Sequence, residues 1–74
     1  MSQNQRVLTY LKMGKILTPI EALNQLGIFR LAARIYDLKQ AGWPITNFRL
    51  RTDNGVIVGH YYLSADKERW PESQ

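Results

Sequence analysis

Seventy-four residues make one domain with a small core, which needs efficient packing or a partner for its last few kcal/mol. The chain has no cysteine, which excludes a disulfide staple and a thiolate metal site. No stretch is apolar for long enough to span a membrane, and the opening MSQNQR lacks the apolar core of a signal peptide, so a soluble cytoplasmic protein is expected. Ten Lys or Arg against six Asp or Glu give a net charge of +4. Residues 1–63 hold eight basic and three acidic residues, a net of +5, while residues 64–74 hold two and three, a net of −1. The positive charge therefore belongs to the folded part, and favours a polyanion surface.

In chain order, residues 4–13 predict a first helix, with Val7, Leu8 and Leu11 as its apolar stripe and Tyr10 at the edge. Gln5, Thr9 and Lys12 are expected to face out. Gly14 ends this helix, and Lys12 and Lys15 complement its C-terminal dipole. The segment LTPIEALNQLG then opens a second helix, with Thr18 as N-cap, Pro19 at the first helical position and Glu21 completing a capping box. Ala22, Leu23 and Leu26 offer its apolar surface, and Leu17 or Ile16 is expected to staple against Leu23. After the Gly27 turn, residues 28–41 predict a third helix stopped by Gly42 and Pro44. Leu31, Ile35 and Leu38 mark its core side, with Arg30, Ala33, Arg34 and Asp37 opposite.

Beyond Pro44 the period changes from helical to alternating. Residues 45–51 and 56–63 are rich in branched and aromatic side chains, with the tight-turn sequence Asp53-Asn54-Gly55 between them. Tyr61 and Leu63 are the expected inward positions of this hairpin. A hairpin is weak alone and must pack on the helices. Three helices followed by a hairpin form an α+β, winged helix-turn-helix layout over residues 1–63. Residues 64–74 are expected to form a short tail or final turn, with Trp70 folding back onto the core.

A short helix, a glycine turn and a longer helix with paired arginines is how a DNA-reading unit is written. Arg30 and Arg34, one turn apart, are expected to meet guanine edges or phosphates in the major groove. Phe29, near the helix start, is placed either to touch a thymine methyl or to pack on the preceding helix. Asp37 is placed to orient the arginines, to accept from a cytosine amino group or to repel phosphates. Arg49, Arg51 and Asn54, on or beside the hairpin turn, are expected to reach the adjacent backbone or minor groove as a wing. Thr18 and Lys15, at the start of the second helix, are expected phosphate neighbours. Without a ligand, the same residues would make a solvated face with an Arg34–Asp37 ion pair.

Other chemistries find little support. His60 is the only histidine, and no nucleophile motif, phosphate loop or carboxylate cluster accompanies it, so neither an enzyme nor a metal or cofactor site is expected. Trp43, Tyr36, Tyr61 and Tyr62 are candidate stacking platforms for single strands, but they lack the open, base-interleaved sheet such proteins display.

Taken together, QNQRVLTYL, LTPIEAL, the glycine turn, FRLAARIYDLK and the G-x-PI exit resemble a family of small winged helix-turn-helix proteins of phages and prophages, over residues 3–63. The resemblance implies double-stranded DNA binding in the regulation of phage or mobile-element genes, within a bacterial host cytoplasm. Trp43 departs from the pattern, which more often has a small or polar residue or histidine there, and the residues after Leu63 do not match it. These departures keep a second expectation open: a protein-interaction module on the same scaffold, modulating a host or phage protein through Trp43, Tyr62 or Trp70. A homodimer suits either reading; on DNA it would set two third helices about 34 Å apart.

Overall fold

Three helices, a hairpin and two terminal 3-10 turns follow one another in the computed structural model, which describes residues 2–73. Met1 and Gln74, the outer ends of the two expected segments, lie outside the described residues. The helices are α1 (Gln3–Lys12), α2 (Pro19–Leu26) and α3 (Leu31–Gln40), and the strands are β1 (Ile45–Arg51) and β2 (Ile57–Leu63). This is the expected α+β winged helix-turn-helix arrangement.

Both early helices start with reciprocal caps. In α2 the Glu21 N–H donates to Thr18 Oγ1 at 3.3 Å, while the Thr18 N–H and hydroxyl donate to Glu21 Oε1 at 3.1 and 2.9 Å. A second box, not anticipated from the sequence, joins Ser2 and Gln5 and starts α1 at Gln3. Gly27, in the left-handed region at φ 68°, closes α2. The Ile28 N–H then donates to Ala22 O at 3.0 Å, which turns the Ile28 side chain fully into the core. That detour delays the third helix: α3 begins at Leu31, not at 28, and Arg30 is its N-cap with φ −112° and ψ 70°.

One core joins all these elements. Val7, Leu11, Leu17, Ala22, Ile28, Leu31, Ile35, Leu38, Ile45 and Leu63 are buried in it, with Tyr61 packed against its edge. Leu23 does not belong: it is exposed, as is Ile16, so the expected staple is replaced by another device. Leu17 bridges to β2 instead, its N–H donating to Tyr61 O at 2.8 Å and its carbonyl accepting from the Tyr61 N–H at 2.9 Å.

β1 and β2 pair antiparallel from Ile45↔Leu63 to Arg51↔Ile57. The loop is closed by Thr52, whose N–H donates to Val56 O at 2.8 Å and whose hydroxyl accepts from the Val56 N–H at 3.2 Å. Gly55 supplies the positive φ, 84°, that a three-residue hairpin loop requires. Only the root of the hairpin is buried; the rest projects, giving the molecule dimensions of 43 × 24 × 20 Å.

The C-terminal residues form turns at Lys67–Arg69 and Pro71–Ser73, and Trp70 packs on the core. Its indole N–H donates to Ser64 O at 2.8 Å, and its ring meets Trp43 at 5.8 Å. Lys12 was expected to face out. It lies over both indoles instead, 4.9 Å from Trp43 and 5.8 Å from Trp70, and its ammonium bonds Glu72 at 2.7 Å. Trp43 is buried and serves this cluster, so it offers no surface for a partner or a base.

Two stability effects follow. Thr18→Ala should cost about 1 kcal/mol in urea unfolding, the ordinary loss for a helix cap. Trp70→Ala should cost about 2 kcal/mol, somewhat below a full core tryptophan, because its ring is only half-buried.

Candidate nucleic-acid interface

Periodicity puts Leu31, Ile35 and Leu38 against the core, and they are buried there. The rest of α3 divides into two flanks that periodicity alone does not distinguish. One flank meets the N-terminal end of α1. There Arg34 donates to Gln3 Oε1 at 3.2 Å and pairs with Asp37 at 3.3 Å, while Asn4 reaches Asp37 at 3.4 Å. Arg34 is half-buried by these contacts, and Asp37 spends its charge on them. The other flank and the outermost face carry Ala32, Tyr36, Lys39 and Gln40, all exposed. Phe29 and Arg30 lead into this face from the turn, Phe29 with 85 % of its surface in solvent. Phe29 therefore does not pack on α2.

The hairpin joins α3 at one contact. Lys39 Nζ donates to Asn47 Oδ1 at 3.3 Å. Asn47, Arg49 and Arg51 share one face of β1, since side chains two apart in a strand point the same way. The same face buries Ile45 at its root, opposite Leu63. A polar and basic row thus leaves the C-terminal end of α3 and runs along β1 to the exposed tip at Asn54. The guanidinium groups of Arg30, Arg49 and Arg51 have no hydrogen-bond or ion-pair partner among the described residues.

The opposite face of the hairpin differs. It carries Thr46, Phe48, Leu50, Val58, His60 and Tyr62, with no Lys, Arg, Asp or Glu among them. Phe48 stacks on His60 at 5.1 Å and tilts against Tyr62 at 5.9 Å. Ile16, Phe48, Tyr62, Leu63 and Ala65 line an open groove of about 380 Å³ there. His60 Nδ1 lies 3.0 Å from Val58 O, and its ring is held by Phe48.

The remaining expected contacts sit elsewhere. Thr18 is buried, with its hydroxyl engaged on both sides by Glu21. Lys15, in the α1–α2 connection, lies over the Tyr10 ring at 5.1 Å. Arg6 donates to Leu26 O at 2.8 Å and so caps the C-terminus of α2. Sequence reasoning missed Lys39 and Asn47 as members of the row. Their spacing across Pro44 carries no periodic signal, and only the register of the hairpin on α3 brings them together. No group of three or more metal-ligating side chains occurs among the described residues, and none of their helices is long and apolar enough to cross a membrane.

Comparison with curated proteins and with solved structures returns no match. Residues 2–66, by contrast, match the family described as a winged helix-turn-helix domain. This fold is a non-catalytic scaffold generically associated with sequence-specific DNA binding. With the match spanning nearly the whole chain and the three helices and hairpin all in place, the chain belongs to the winged helix-turn-helix domain family.

Proposed function

We propose that this protein is a small phage or prophage transcriptional regulator that binds a specific double-stranded DNA site, with α3 in the major groove and the hairpin as its wing. The observation that carries the reading is the Lys39–Asn47 contact, which makes the outer face of α3 and the basic face of β1 one surface. Arg30 stands at one end of it and Arg49, Arg51 and Asn54 at the other. The exposed guanidinium groups suit phosphates, and Asn54 at the tip suits the adjacent backbone or minor groove. Asp37 has its charge paired with Arg34 and also accepts from Asn4, so it opposes the approach of a polyanion less than an unpaired carboxylate would. Arg34 serves this surface by holding α3 against α1. Lys15 and Thr18 lie outside the row and are left to long-range attraction and to capping.

The phage or prophage origin, and with it a bacterial cytoplasmic setting, rests on the likeness of QNQRVLTYL and RLAARIYDLK to that group. A homodimer on a palindromic site fits the same surface. The second reading, a protein-interaction module, draws on one feature: the uncharged groove between Ile16, Phe48 and Tyr62.

Labelled random-sequence duplex, titrated over a salt series, tests the proposal. Affinity should fall with salt as counterions are released, and Arg30→Ala, Arg49→Ala and Arg51→Ala should each reduce the log–log slope by about 1. Absence of duplex binding at low salt, together with no sequence enriched from a random library, would overturn it. Urea unfolding separates the two arginines of the third-helix region. Arg34→Ala should cost about 1 kcal/mol for its lost contacts, whereas Arg30→Ala should change stability by less than about 0.5 kcal/mol.

A further inference from the structure

The outer face of α3 is unusual for a basic protein, because its exposed side chains are mostly uncharged. Ala32, Tyr36 and Gln40 are spaced i, i+4, i+8 along it, and Phe29 continues the stripe into the turn. Phe29 and Tyr36 leave 85 % and 63 % of their surfaces in solvent. Ala32 projects no more than a methyl group, so the helix backbone can approach a groove floor closely at that point. The arginines that would read guanine are not on this stripe. Arg34 is turned to Gln3 and Asp37, and Arg30 occupies the non-helical cap position. Lys39 is drawn toward the wing by Asn47.

We infer that α3 recognises A·T pairs through the C5-methyl groups of thymines, with Phe29 and Ala32 as the methyl contacts and Gln40 as the partner of an adenine. The inference rests on the DNA-binding reading above and specifies what that surface reads. In the major groove only thymine offers a methyl group, and apolar side chains such as Ala and Phe are its natural partners. Gln pairs bidentately with adenine N6 and N7, so Gln40, about 12 Å along the helix from Ala32, suits a further A·T pair about three steps away. Tyr36, between them, adds a ring face to the same apolar strip. α3 has ten residues. At 1.5 Å per residue it is about 15 Å long, which covers about four base pairs at 3.4 Å each. The positive groups of the wing and Arg30 then supply attraction to phosphates without selecting a base.

The test begins with selection of a duplex from a random library by the full-length chain. Each thymine of the enriched site is then replaced singly by deoxyuridine, which deletes the methyl group and keeps the pairing. At one or two positions within an A·T-rich block of about four pairs, wild-type affinity should fall about four-fold, the equivalent of the ≈ 0.8 kcal/mol of one buried methyl. Phe29→Ala should erase the effect at one of those positions and leave the salt slope unchanged; circular dichroism should show an unaltered fold, since the ring is exposed. An enriched site that tolerates every deoxyuridine, or whose central block is G·C, would overturn the inference and leave DNA binding standing. Failure to enrich any site would overturn the inference, and together with absence of duplex binding at low salt would overturn the DNA-binding reading as well. The deoxyuridine series on the wild-type chain needs no variant, so a folding defect in Phe29→Ala cannot blur the result.

Discussion

The two hydrogen bonds between Leu17 and Tyr61 hold this molecule together as a device. A two-stranded hairpin has little stability of its own, and this one is buried only at its root. Leu17 pairs with β2 on the edge that β1 does not use, so the base of the wing is gripped from both sides. The same residue immediately precedes Thr18, whose capping box sets the first turn of α2. One short segment therefore fixes where the second helix begins and where the wing departs, and its fully buried side chain ties both to the core.

From that anchor the positions of the candidate contacts follow. Ile45 and Leu63 are opposite each other and buried, so the alternate positions Asn47, Arg49 and Arg51 must continue along the same face as the strands leave the core. The α3 helix ends beside them, and Lys39 closes the gap to Asn47. At the far end, the Lys12–Trp43–Trp70 cluster pins the C-terminal turns over the exit of α3. A lysine stem with its ammonium over two indoles and against Glu72 shields apolar surface that a chain of this size can hardly leave open. Charges engaged in packing and charges left in solvent are thereby separated: Arg6, Lys12 and Arg34 are consumed in packing, whereas Arg30, Arg49 and Arg51 face solvent.

Much of this was readable from local chemistry. Thr18, Pro19 and Glu21 announce their helix start, Gly27 its end, and Asp53-Asn54-Gly55 the hairpin loop, because each depends on a few adjacent residues. Tyr61 and Leu63 face inward, as the alternation of the strand predicts. What periodicity did not reveal depends on neighbours distant in sequence. Arg34 looks solvent-facing on a wheel of α3 alone, and only the docking of Gln3 and Asn4 shows that its flank is covered. Lys12 looks exposed until two tryptophans far along the chain fold beneath it. The late start of α3 was hidden because Ile28 suits a helix interior as well as it suits the buried turn it occupies. Leu17 reads as a staple for the same reason, since its apolarity does not distinguish a helix partner from a strand partner.

The central claim is that α3 and the basic face of β1 act as one DNA surface. Amide chemical-shift mapping on the folded full-length chain, titrated with duplex DNA, tests it most directly. The account predicts shifts concentrated in residues 29–40 and 47–55, with little change at Lys12 and Leu17 or around the Phe48–Tyr62 groove. Shifts concentrated around Ile16 and Ala65, at the groove rim, with the residues from Phe29 to Gln40 silent, would contradict it.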